Sequence, residues 1–204
     1  NATTDNLNLT FNAGTYATAT GDSGATIYPT FSSMYKSATK SWKINNTTAD
    51  VDLTPVDITK YKNVKVNLNF ASFSGTSGNG ADAGDIIGIY VSLDGGTTYS
   101  EEIEIQGNSN YKNSFGNLKN STVTYDGDNN PQIVSLSTTN KVDNITINIP
   151  NNVTSSQFMV GFYVLNNDSN ELWLIDDIKI TGDGYSTKTW NGTTWVGGTP
   201  TIGD

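Results

Sequence analysis

Cysteine, histidine and arginine are missing altogether from the 204-residue chain. Without cysteine or histidine there is no zinc finger, no thiol nucleophile, no Ser-His-Asp triad and no imidazole acid–base group. The basic residues are all lysine, 11 against 20 acidic residues, for a net charge of −9. That balance, with no arginine, excludes a surface that tracks nucleic-acid phosphates. No apolar run approaches the roughly 18 residues of a membrane helix, so no membrane insertion is expected. No basic stretch followed by an apolar one opens the chain in the manner of an export signal. Missing disulfides leave the compartment open, because a domain of this size builds a core without them.

What is present is the vocabulary of strands and tight turns. Asn, Thr, Ser, Gly and Asp dominate the polar residues, and only 15% of residues are charged. Four Trp, ten Tyr and seven Phe supply core material. Apolar residues alternate with polar ones again and again: Val64, Val66, Leu68 and Phe70; Ile87, Ile89, Val91 and Leu93; Ile103 and Ile105; Ile145, Ile147 and Ile149. A period of two is the strand signature. Asp94-Gly95-Gly96 reads as a hairpin turn. Phe158 to Leu165 is apolar on both faces and reads as a central strand, and Leu172 to Ile180 as the last strong one. Eight to ten such strands predict an all-β fold, an antiparallel β-sandwich. Residues 72–85 and 107–130 read as long Gly/Asn/Ser loops. After 182 the pattern changes: a four-residue turn at 191–194 would set Trp190 opposite Trp195. Residues 1–182 are therefore expected to form one module, and 183–204 a linker and the start of a following module.

The closing segment Leu174-Ile175-Asp176-Asp177-Ile178-Lys179-Ile180-Thr181-Gly182 resembles the last strand of MAM-like and carbohydrate-binding-module-like jelly rolls. Leu9-Thr10-Phe11-Asn12-Ala13-Gly14 is similar to their opening segment. The stretch from Val91 to Ser100 resembles a hairpin of secreted jelly rolls of the Bacteroidetes. The tail, Thr189 to Pro200, is similar to a junction in large exported flavobacterial surface proteins, which implies type IX secretion. The resemblance implies a jelly roll, a structural Ca²⁺, a secreted or cell-surface setting among neighbouring domains, and no catalytic activity. Asn12 stands where such families often carry Glu.

Asp176 is the sharpest candidate. Alternation along Leu172, Leu174, Asp176, Ile178 and Ile180 would turn it toward the core, where a bare carboxylate is costly. It is expected either to bind Ca²⁺ with help from Asn12, or to accept backbone or lysine hydrogen bonds. Asp126-Gly127-Asp128 starts like a calcium loop, but Pro131 and Ser137 break the pattern and favour a turn. Asn79 to Asp85, with Asp82 and Asp85, reads either as a second oxygen-rich calcium loop or as a solvated glycine loop before a strand, the pattern favouring the latter. Glu102 and Glu104 share a strand face without the rest of a glycanase pattern. Flat exposed aromatics are the sugar-binding candidates: Tyr90, Tyr163 and Trp173 on strand faces opposite the expected core, and Tyr111 in a loop. The expected role is a non-catalytic binding module for a polysaccharide or cell-surface glycan. A structural spacer or secretion cargo domain is the alternative, and a carboxylate-based lyase or hydrolase a third.

Overall fold

The structure, a computed structural model, describes residues 4–7, 18–20, 35–37, 40–44, 46–76, 78–116, 119–184, 188–190 and 195–197. Its strands are β1 (Thr4–Leu7), β2 (Thr18–Thr20), β3 (Lys40–Ile44), β4 (Thr47–Asp52), β5 (Tyr61–Ser74), β6 (Ile86–Ser92) and β7 (Ser100–Gln106). They continue as β8 (Lys119–Thr124), β9 (Gln132–Ser135), β10 (Val142–Asn148), β11 (Met159–Asn166), β12 (Glu171–Gly184), β13 (Lys188–Trp190) and β14 (Trp195–Gly197). Among the described residues no helix is long and apolar enough to cross a membrane.

Two sheets stack. One runs β2-β3-β12-β5-β10-β8 with β1 also on β12, the other β4-β11-β6-β7-β9. Leaving out β1, β2, β8, β9 and the separate β13–β14 pair, the remaining eight strands pair first with last: β3 with β12, β4 with β11, β5 with β10 and β6 with β7, all antiparallel. A chain folded double and wrapped this way is a jelly roll. The fold is all-β, as the alternation predicts, but not wholly antiparallel, since β8 joins β10 and β9 joins β7 in parallel. Both added strands come from the long excursion between β7 and β10. β8 lies inside the stretch 107–130 expected to be loop, its polar Lys-Asn-Ser-Thr sequence giving no alternation to read. The tail segments pair with Trp190 opposite Trp195, the expected register.

The alternation of β5, β6 and β10 is realised as written, and Ile103 and Ile105 of β7 point inward with it. Val66, Leu68, Phe70, Ile87, Ile89, Ile103, Ile105, Ile145 and Ile147 are all fully buried between the sheets. Trp42 of β3 meets Phe162 of β11 edge to face at 6.4 Å across the sandwich. Aromatic pairs of this geometry are worth about 0.5–1.5 kcal/mol beyond their burial.

β12 is in the opposite phase from the one expected. Trp173 and Ile175, not Leu172 and Leu174, enter the main core. Trp173 is 0% exposed and sits edge-on to Phe70 at 6.2 Å. Leu172 and Leu174 lie on the outer face of the sheet, in a small separate cluster with Ala71, Phe73 and Phe115. The phase flips again at a bulge: the register with β5 shifts between Asp176 and Lys179, and Asp177 takes φ 50°. One extra residue per bulge exchanges the faces of everything beyond it. Ile180 therefore returns to the core.

Candidate functional site

The outer face of the five-stranded sheet carries a trough of about 390 Å³, lined by Asp50, Asp52, Tyr90, Tyr99, Gly161, Phe162 and Tyr163. Register builds it in two rows. Asp52, Gly161, Tyr90 and Glu101 stand side by side on β4, β11, β6 and β7; the next row is Asp50, Tyr163, Gly88 and Glu104. In each row a glycine neighbours a tyrosine, and a carboxylate stands at either end. The glycines make the floor low enough for rings to lie on it. A Cβ on Gly88 would come within 2.9 Å of Tyr90 Cε2, and one on Gly161 within 3.2 Å of Tyr99 Cε1.

Tyr99 enters from the β6–β7 hairpin. Gly95 and Gly96 turn that hairpin with φ of 71° and 89°. Asp94 locks it by accepting hydrogen bonds from Ser92 Oγ, Thr98 N and Thr98 Oγ1. The Tyr99 hydroxyl donates to Asp52 Oδ1 at 2.6 Å, and its ring meets that of Tyr90 edge-on at 6.4 Å. Burial, then the nearby Glu101 carboxylate, pushes the Tyr90 phenol up to about 12. Burial and the bond to Asp52 push the Tyr99 phenol up as well. Both rings therefore stay neutral donors across the ordinary pH range.

Of the residues expected to bind a ligand, Tyr90 and Tyr163 come together in this trough. Trp173 and Tyr111 do not. Trp173 belongs to the core because β12 has the reverse phase. Tyr111 is 6% exposed, bridged to Ala81 through backbone hydrogen bonds in both directions. The acidic pair on β7 is Glu101 with Glu104, not Glu102 with Glu104. A register shift between Ile89 and Tyr90 turns Glu102 inward, where it is buried and receives the Asp126 N–H at 3.4 Å. The stretch from Asp126 to Asn130 is a turn, closed by N–H donations from Asp128 to Asp126 and from Asn130 to Asp128. Asp50, Asp52 and Tyr99 went unread in the sequence. The alternation Thr48, Asp50, Asp52 against Ala49, Val51, Leu53 is the signal that locates β4 and its acids.

Asp176 lies on the outer side of its sheet and is half-buried rather than core-facing. Its Oδ2 accepts the Lys36 and Ser37 N–H groups at 2.8 and 3.1 Å, and its Oδ1 accepts the Asp177 N–H. Backbone donors thus satisfy the carboxylate, which fits the hydrogen-bonded alternative for this residue. Asn12, and the opening segment 9–14, lie outside the described residues.

A second acidic group lies away from the trough. Asp82, Asp85 and Glu171 each bring a carboxylate oxygen within 4.8 Å of the other two, a set that could hold a metal ion. Asp85 is 0% and Glu171 2% exposed. Burial raises the Asp85 carboxyl, and burial with the carboxylates of Asp85, Asp82 and Asp168 pushes Glu171 up to about 7.

No protein-family model matches the chain, and no curated protein does. Solved structures do. A family 16 carbohydrate-binding module aligns over 83% of this chain and 89% of its own, at 11% identity and TM-score 0.39. TmCBM61, solved in complex with β-1,4-galactotriose, aligns over the same shares at 11% identity and TM-score 0.38. Both are carbohydrate-binding modules. The jelly-roll assignment rests on the strand pairing itself.

Proposed function

We propose that this chain is a non-catalytic glycan-binding module of a secreted, multidomain surface protein, and that the trough on the five-stranded sheet is its binding face. The observation that carries the reading is the double row of Tyr and Gly between paired carboxylates. Sugar rings present flat apolar faces ringed by hydroxyls. Half-buried tyrosines over a glycine floor offer the complementary apolar surface, and Asp50, Asp52, Glu101 and Glu104 accept hydroxyl hydrogens. The volume lies in the range of ordinary small-ligand sites. Acidic rims on a chain of net charge −9 favour neutral glycans over uronic-acid or sulfated ones. A structural calcium belongs to this reading as a stabiliser of the fold and does no chemistry on the glycan. The stretch 183–204 is taken as the junction to a neighbouring module.

A glycan array probed with the wild type, Tyr163→Ala and Asp50→Asn tests it. Saturable binding to a neutral polysaccharide, lost in both variants while their melting temperatures stay close to wild type, is expected. Binding that survives both substitutions overturns the trough assignment. An empty array favours the spacer reading, and glycan turnover by pure protein refutes the non-catalytic one.

A further inference from the structure

The acidic group at Asp82, Asp85 and Glu171 has no part in the trough. We propose that it is a calcium site, which fastens the β5–β6 connection to the start of β12. The argument begins with burial. Glu171 is 2% exposed, yet its Oε2 has no hydrogen-bond partner among the described residues. A buried carboxylate oxygen left without a donor, beside two further carboxylates, is costly unless a cation completes it. The backbone holds the group in place regardless of its charge. Asp85 Oδ2 accepts the Asp82 N–H at 3.0 Å and its Oδ1 the Asn167 N–H at 3.3 Å. Gly75 N donates to Asn170 O at 2.8 Å, and Gly107 N to Asp85 O at 2.8 Å. Backbone hydrogen bonds thus hold Asp85, the β5–β6 connection and the residue before Glu171 in place around the three carboxyls.

Donor chemistry selects the ion. All three donors are hard carboxylate oxygens, and the chain has no cysteine or histidine to favour zinc or copper. Oxygens bound to one Ca²⁺ at 2.3–2.6 Å lie up to about 5 Å apart, so three oxygens that all fall within 4.8 Å of one another can share a single ion. Ca²⁺ takes six to eight oxygens, so water on the half-exposed Asp82 side fills the remaining positions. Mg²⁺ demands a near-ideal octahedron and gives up its own water reluctantly, whereas Ca²⁺ accepts an irregular set of protein oxygens. This site is distinct from the Asp176 position, where both carboxylate oxygens have backbone donors and none is left without a partner as Glu171 Oε2 is.

The test is a thermal melt of the EDTA-treated 204-residue protein, with CaCl₂ or MgCl₂ added, on wild type, Glu171→Gln, Asp82→Asn and Asp176→Asn. Calcium at a hundredfold excess over its dissociation constant should raise the wild-type midpoint by about 5–10 °C. Glu171→Gln and Asp82→Asn should lose most of that rise, and Asp176→Asn should keep it. In EDTA, Glu171→Gln should melt above wild type, because one of three crowded charges is gone. That reversal of order on adding calcium separates a ligand from a residue that merely packs. If Glu171→Gln does not fold, half-exposed Asp82→Asn carries the comparison. No calcium effect in wild type, an equal effect in Glu171→Gln and Asp82→Asn, or an effect lost only in Asp176→Asn overturns the proposal. None of these outcomes depends on whether a glycan binds.

Discussion

Replacing Trp173 separates two readings of β12 by their energetics. A tryptophan on the outer face would be a surface residue, and truncating it would change stability by no more than about 0.5 kcal/mol. In the structure it is 0% exposed, against Phe70 at 6.2 Å. A buried aromatic removes roughly 150–250 Å² from water, worth about 4–6 kcal/mol at 25 cal/mol per Å². After partial collapse of the cavity, Trp173→Ala should cost about 3–5 kcal/mol. For a domain of this size that is a fall of roughly 6–20 °C in melting temperature. A second substitution sharpens the test. The indole Nε1 has no hydrogen-bond partner among the described residues. An unsatisfied buried N–H costs about 1–3 kcal/mol. Trp173→Phe loses packing but also removes that penalty, so it should cost less than half as much as alanine. Urea denaturation at 25 °C reads both, with an unchanged m-value showing that the midpoint shift is a stability change. An alanine variant within 0.5 kcal/mol of wild type, or a phenylalanine variant as damaging as alanine, would refute the assignment of Trp173 to the core.

Other substitutions test the remaining geometry. Gly161→Ala places a Cβ 2.8 Å from Asp52 Oδ1, so it should break the Tyr99–Asp52 hydrogen bond and abolish glycan binding on the array. A crystal structure of the variant with that bond intact counts against the crowded floor. Asp176→Ala removes the acceptor for the Lys36 and Ser37 amides. It should cost about 1–3 kcal/mol and speed hydrogen exchange at those two positions, by NMR. In an ultraviolet titration Tyr90 should be among the last phenols to ionise, near 12, and Glu101→Gln should bring it down. Because its folded value is raised, the stability this gives is full below the unfolded value near 10 and is lost between there and about 12. Circular dichroism melts across that window show whether wild type loses more than Tyr90→Phe.

The readable parts of this sequence were those where one face is apolar and the other polar. β5, β6 and β10 alternate strictly, and the alternation that buries Ile87 and Ile89 also turns Tyr90 outward. β12 defeats the same reasoning because Leu172-Trp173-Leu174-Ile175 is apolar at every position. Alternation there sets Trp173 opposite Asp176 correctly, but it cannot say which side is the core. The answer depends on the outer face also being covered, by Phe73 and Phe115, a tertiary fact. Bulges hide just as well. One shift beside Tyr90 exchanged Glu102 for Glu101 on the trough face, and nothing in Ser-Glu-Glu-Ile-Glu-Ile marks where it falls. β8 and β9 are invisible for other reasons: β8 is mostly polar, β9 is only four residues long with Ile133 and Val134 side by side, and their partners lie far along the chain. Glu171 stands at a strand start with no motif around it, and acquires its meaning only when β11 and β12 bring it to Asp82 and Asp85.

β8 and β9 also bear on how the molecule behaves at high concentration. A sheet that ends in a long, flat apolar strand offers unpaired N–H and C=O groups to the next molecule, the first step toward fibrous aggregation. Here one excursion of the chain ends both sheets on the same side, with β8 bordering one and β9 the other. A side-chain bond from Gln132 to Ser121 Oγ links the two across the gap. Both strands are short, and β8 shows the solvent lysine, asparagine and threonine, residues that make a poor template for a further strand. Copies crowded against one another should therefore slide past along this side without joining, and deleting the excursion should let them polymerise edge to edge.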